Sequence, residues 1–139
     1  MSQTNELEIM ERIALDLERV EESLASSFNT GAEDFNALIR PLSAAGGKRL
    51  RAQLCLLIAN AGTSIERQRI KIAEAVEMLH LATLIHDDVL DQAEIRRGED
   101  TIHMHKGNKV AILSGDYLFA KAFKIVSEMT NMKYLQAVS

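Results

Sequence analysis

Little in this chain punctuates it. One proline and seven glycines in 139 residues leave few turns, and β-branched alternation is confined to a brief Thr101-Ile102-His103-Met104-His105. A sandwich or barrel is thereby excluded, and the chain reads as all-α. Tryptophan is absent and aromatics amount to 4%, so aliphatic side chains must build the core; at 47% hydrophobic residues, one domain over 1–139 is within reach. The lone cysteine, Cys55, excludes an internal disulfide framework and suits a reducing cytoplasm; inside its apolar run it reads as a small core hydrophobe. No run reaches the ~18 apolar residues of a membrane span, and no opening segment resembles a signal peptide. A net charge of -4 gives no pull towards nucleic acid or an anionic membrane. Anion binding must then come from local clusters.

What the chain does have is helical periodicity. From Asn5 to about Ser27, Leu7, Ile9, Met10, Ile13, Leu15, Leu17, Val20 and Leu24 recur at mostly helical spacing, predicting an amphipathic surface helix. After a break at Thr30-Gly31, Glu33 to about Ala45 reads as a short helix that Pro41 should end or kink. Gly46-Gly47 precedes Lys48-Arg49-Leu50-Arg51 and an apolar helix over Ala52 to about Ala61. A long helix then starts at Ile65 or Glu66. Beyond it, the segment to Gly107 reads as a loop with a helical turn, Asn108 to about Met129 as the last full helix, and Met132 to Ser139 as a helix only begun. Gly115, within Ser114-Gly115-Asp116, is where another helix should approach closely, with Asp116 a candidate ligand.

The long helix carries the chemistry, in His80-Leu81-Ala82-Thr83-Leu84-Ile85-His86-Asp87-Asp88-Val89-Leu90-Asp91. At 100° per residue Asp91 falls about 40° from Asp87 and about 60° from Asp88, so the acids form one patch, and His80 lies about 20° from Asp87. Ionised carboxylates in an otherwise apolar helix must neutralise themselves or meet cations, and a hard divalent ion with oxygen ligands is the natural partner. The alternative is a helix end turned to solvent with its acids hydrated. Basic residues cluster on either side. Gly46-Gly47 at a helix start, with Lys48, Arg49 and Arg51 opposing the helix dipole, makes a cradle for an oxyanion. Downstream, the adjacent guanidiniums of Arg96 and Arg97 suit a multiply charged anion such as phosphate.

Taken in order, Gly46-Gly47-Lys48-Arg49-Leu50-Arg51, His80 with Asp87-Asp88-Val89-Leu90-Asp91, Arg96-Arg97-Gly98 and Gly115-Asp116-Tyr117-Leu118-Phe119 resemble the trans-isoprenyl diphosphate synthases, the polyprenyl synthetase family. The resemblance covers the first half of the family's usual length. It implies an antiparallel helix bundle, the N-terminal part of a larger isoprenoid synthase domain. The implied activity is a Mg²⁺-dependent, cytoplasmic prenyltransferase that extends an allylic prenyl diphosphate with isopentenyl diphosphate. Asp87 and Asp91 would hold Mg²⁺ with Asp88 supporting. Lys48, Arg51, His80 and Arg97 would bind the diphosphate of isopentenyl diphosphate, and Arg96 that of the allylic substrate. Small residues at Ala82 and Thr83, where bulky aromatics stop short products in the family, imply a heptaprenyl- or octaprenyl-type product. The resemblance also implies a homodimer or heteromer, with the helix from Asn108 as the candidate contact. The family's second aspartate-rich motif lies beyond this sequence, so these residues alone are expected to turn over negligibly.

Two other readings compete. A metal-dependent phosphohydrolase of the HD type would use His80, His86-Asp87 and His103 or His105 as ligands. A non-catalytic helical subunit of a heteromeric synthase would need none of the acids, whose presence argues against it.

Overall fold

The computed structural model describes residues 3–44, 47–62 and 65–129. Helix α1 (Gln3–Ser27) buries Ile13, Val20 and Leu24 with Ile9 and Leu17 partly covered, one stripe at i, i+3 and i+4 spacing; Leu7, Met10 and Leu15 lie exposed. Helix α2 (Glu33–Ala44) runs past Pro41, which neither ends nor interrupts it. Proline removes one hydrogen bond, and both Pro41 and Ala37, the residue one turn earlier, are exposed, so water can serve the freed carbonyl.

Helix α3 (Leu50–Asn60) buries only Ala52 and Leu56. Helix α4 (Glu66–Leu90) is the central element, packed against α1, α3 and, most extensively, helix α6 (Asn108–Glu128). Between α4 and α6 the predicted loop holds a small hairpin, β1 (Ile95–Arg96) antiparallel to β2 (Glu99–Asp100), with Arg96 opposite Glu99. Its two turn residues, Arg97 and Gly98, both have positive φ, 53° and 86°, as the twist of a two-residue hairpin demands. The alternating Thr101–His105 stretch is not a strand: Thr101 precedes helix α5 (Ile102–Lys106). Four or five alternating residues cannot override a site where the chain must turn back onto α4, and Thr101 is instead buried with its hydroxyl on the Ala93 carbonyl.

The core is aliphatic, as the composition requires, but charged pairs cross it. Asp16 of α1 takes two hydrogen bonds from Arg69 of α4, at 2.6 and 3.0 Å. Burial pushes the Asp16 carboxyl up, but hydrogen bonds from Arg69 and Asn60 and the charges of Arg69 and Arg19 outweigh it and hold it below its ordinary value. Fully buried Glu74 accepts from the hydroxyls of Ser23 and Ser27 and from Lys71. The predicted helix over Met132–Ser139 lies outside the described residues.

Candidate functional site

The acids sit at the end of α4, where helix geometry makes them most costly. The helix closes on Asp91, with Gln92 left-handed (φ 53°) and the Ala93 N–H returning to the Asp88 carbonyl at 2.9 Å. This cap satisfies terminal carbonyls but adds no positive charge, and the last turn holds no basic residue. Asp87, Asp88 and Asp91 therefore face the negative end of the helix dipole, which disfavours them until cations arrive.

One cation comes from the hairpin. Arg96 Nε donates to Asp88 Oδ1 at 2.7 Å and its Nη2 lies 2.7 Å from the same oxygen. The hydrogen bond it donates to Asp88, then the charges of Asp88, Asp87 and Asp91, raise the Arg96 guanidinium above its ordinary value against an opposing effect of burial. Asp88 is buried at 4% exposure, whereas Asp87 and Asp91 are exposed. The acids are thus one patch in sequence but two environments in space.

Among the described residues no group of three His, Cys, Asp or Glu side chains is arranged to hold a metal. Asp88 turns to Arg96 instead. What remains at the surface, Asp87 and Asp91 one turn apart, fits Mg²⁺ of the kind held by one or two carboxylates and completed by substrate phosphates, not by a closed protein cage. The histidines do not converge either: His86 Nε2 lies 3.1 Å from the Ile112 carbonyl, His103 Nε2 2.7 Å from the Ala93 carbonyl, and His105 Nε2 3.7 Å from Asp100. This removes the basis for a phosphohydrolase centre.

Several basic groups act on His80. Burial first, then the charge of Arg51, lowers the His80 imidazole below its ordinary value; Glu77 works the other way, and Arg97 and Arg96 add to the lowering. Arg51 of α3 and both hairpin arginines thus act on one half-buried ring of α4. Gly47, at φ 63°, brings its backbone against the Arg97 guanidinium: a Cβ there would stand 3.6 Å from Nη2. Lys48 follows, exposed. Gly46 lies outside the described residues, so only part of the expected glycine cradle is seen.

Arg49 does something different. It is left-handed (φ 48°, ψ 39°), and its side chain, 12% exposed, turns inward. Its Nε and Nη2 donate to Glu21 at 2.5 and 3.1 Å, and Nη2 donates to the Ser43 carbonyl at 2.7 Å. Glu77 lies 3.4 Å away on Nη1 and accepts the Ala52 N–H of α3 at 3.0 Å. At that amide the helix start is thus served by an internal carboxylate. Sequence reasoning missed Glu77; its signal was an acid flanked by Val76, Met78 and Leu79.

A cavity of about 380 Å³ lies on the Asp88 flank of α4, with Leu38, Leu42, Leu81, Leu84, Ile85 and Ile102 among its apolar lining and Asp34, Asp88, Arg96, Arg97, Glu99, Asp100, His105 and Lys106 as its polar side. Ala82 and Thr83 do not line it. Ala82 is fully buried; Thr83 is exposed, about 40° round the helix from Asp87, with its hydroxyl on the His80 carbonyl. The close approach expected at Gly115 is found, since a Cβ there would stand 2.2 Å from His86 Nε2. Asp116 lies 3.4 Å from the same nitrogen and is exposed.

Fold and site together define a class: an all-α chain that sets two exposed carboxylates at one helix end, beside a third acid paired with an arginine. Comparison with known proteins makes this specific. The polyprenyl synthetase family profile matches residues 32–139. The chain is 33% identical over 137 residues to chloroplastic solanesyl diphosphate synthase 1 of Arabidopsis thaliana, a match covering 94% of this chain and 34% of that protein. It is 32% identical over 131 residues to octaprenyl diphosphate synthase of Escherichia coli K12, covering 94% and 41%. Among solved structures, a polyprenyl synthase from Caulobacter crescentus CB15, complexed with calcium and isoprenyl diphosphate, superposes with a TM-score of 0.85 at 36% identity, covering 94% of this chain and 40% of that one. The chain belongs to the polyprenyl synthetase family and has the isoprenoid synthase fold. It spans between about a third and two fifths of the length of these relatives.

Proposed function

We propose that this chain supplies the first-aspartate, N-terminal part of a trans-prenyltransferase that condenses isopentenyl diphosphate with an allylic prenyl diphosphate. The observation that carries the reading is Arg96 bonded to Asp88 beside the two exposed acids, with the Arg97 guanidinium standing close to Gly47, the residue before Lys48. Breaking an allylic C–O bond leaves a carbocation and a diphosphate, so the site must stabilise charge growing on the leaving group, and no protein nucleophile is needed. Asp87 and Asp91 would hold Mg²⁺, which when bound supplies positive charge to the departing diphosphate. Arg96, oriented by Asp88, contacts that allylic diphosphate. Lys48, Arg51, His80 and Arg97 hold the diphosphate of isopentenyl diphosphate, placing its double bond at attacking distance. A growing prenyl chain runs along α4 past Thr83, whose small side chain permits a medium or long product.

The exposed face of α6, with Val110, Leu113 and Phe123, is the proposed contact with a second subunit. Among the described residues no helix is long and apolar enough to cross a membrane; the single cysteine, half-buried, fits a cytoplasmic setting.

Titration of the chain with inorganic pyrophosphate, with and without Mg²⁺, tests the reading. Mg²⁺ is expected to strengthen binding, and Asp87→Ala or Asp91→Ala to remove that increment while leaving Mg²⁺-independent binding in place. An increment that survives both substitutions refutes the assignment.

A further inference from the structure

Lys48 and Arg51 are exposed, yet Arg49 between them points into the protein. A left-handed backbone at a non-glycine residue is rarely adopted and persists only where its surroundings hold it. Here the surroundings are unusually complete. Glu21 of α1 grips one side of the guanidinium, the Ser43 carbonyl takes another donor, and Glu77 of α4 stands at Nη1. The second oxygen of Glu77 accepts the Ala52 N–H in the first turn of α3. One carboxylate therefore fastens α3 through both its backbone and its capping residue, three residues before His80 on the same helix. Nothing else described ties the start of α3 to α4 by side-chain hydrogen bonds at this level of the bundle.

We propose that Arg49 and Glu77 form a positioning clamp that fixes where Lys48 and Arg51 stand relative to His80. The clamp touches no substrate; it acts through those three residues, and it rests on reading them as a diphosphate site. It explains a cationic run in which the middle arginine is withheld from solvent. It also explains an acid so near an anion site: charge alone would place Glu77 elsewhere, because a carboxylate repels a diphosphate.

That repulsion supplies a test whose sign separates the alternatives. Binding of inorganic pyrophosphate alone, without Mg²⁺, is measured calorimetrically on the chain and its variants, with circular dichroism at assay temperature to establish folding. If Glu77 acts only by its charge, Glu77→Gln tightens binding; the clamp predicts weakening by roughly tenfold, since misplaced groups bind poorly. Arg49→Lys keeps the charge but loses the forked geometry, and is expected to weaken binding by about the same factor. Should Glu77→Gln unfold the chain, Arg49→Lys decides. Unchanged affinity in Arg49→Lys, with or without a loss of stability, or tighter binding in Glu77→Gln, overturns the clamp. Lys48→Ala and Arg51→Ala are the reference arms: if these bind like wild type, or wild type does not bind, the diphosphate site itself falls and the clamp with it.

Discussion

Gly115→Ala sets two well-known effects against each other. Alanine is the better helix former by about 1 kcal/mol, so propensity alone predicts that the substitution in the middle of α6 stabilises the chain. The packing says otherwise. The new Cβ would lie 2.2 Å from Nε2, 2.4 Å from Cδ2 and 3.0 Å from Cε1 of His86. The ring cannot yield freely, because Nε2 is held at 3.1 Å by the Ile112 carbonyl and the ring stacks obliquely on Phe119 at 5.5 Å. Either α6 moves away from α4, an overpacking cost of about 1–3 kcal/mol, or the ring swings out and forfeits a hydrogen bond worth about 1 kcal/mol together with its aromatic contact, roughly 1 kcal/mol more. Both routes exceed the propensity gain at their midpoints, leaving a net destabilisation of about 1 kcal/mol. Urea unfolding followed by circular dichroism should show a lowered midpoint, and heating a Tm reduced by roughly 3–8 °C. In an His86→Ala background the obstacle is gone and Gly115→Ala should become neutral or stabilising. A single variant at least as stable as wild type would refute the argument that α4 and α6 are in contact at this height.

Acid stability should depend on Asp16, whose carboxyl is held below its ordinary value of 3.8. A depressed folded value means the contribution is present above the ordinary value and is lost as pH falls through the lower, folded one; Asp16→Asn should therefore flatten stability against pH below about 4, and an unchanged slope in urea titrations would remove the pair from the account. If the proposed prenyl transfer holds, Thr83→Phe shortens the product, while leaving the Tm of this chain nearly unchanged because the position is exposed. Chromatography showing the same product length would dismiss Thr83 as part of the pocket. Ala82→Phe is the poorer probe, since it forces a large ring into a fully buried position.

Helix order was legible because α1, α4 and α6 carry long apolar patterns, and α4 and α6 were placed to within a residue or so by Gly and polar breaks around them. The hairpin was not, since two-residue strands leave no periodicity, and its turn at Arg97-Gly98 depends on a positive φ that nothing in arginine's chemistry announces. Pro41 does not end α2, because the rule against internal proline assumes that the lost hydrogen bond matters, and here the position is exposed. Candidate residues Asp87, Asp88, Asp91, Lys48, Arg51, His80, Arg96 and Arg97 were named from spacing and resemblance; the structure bonds Arg96 to Asp88, leaves Asp87, Asp91, Lys48, Arg51 and Arg97 exposed, and half-buries His80.

The amino-acid sequence by itself determined the fold class, the family and the identity of the charged groups, because helical period and residue type are properties of short stretches. Only the tertiary structure decided how those charges are spent. It turned Asp88 and Arg96 towards each other, drew Arg49 inward onto Glu21 and Glu77, and left Asp87, Asp91, Lys48 and Arg51 facing outward. Arg49 meets Glu21 and Glu77 only when helices pack, and a buried charge must take the nearest opposite one available, whichever element carries it.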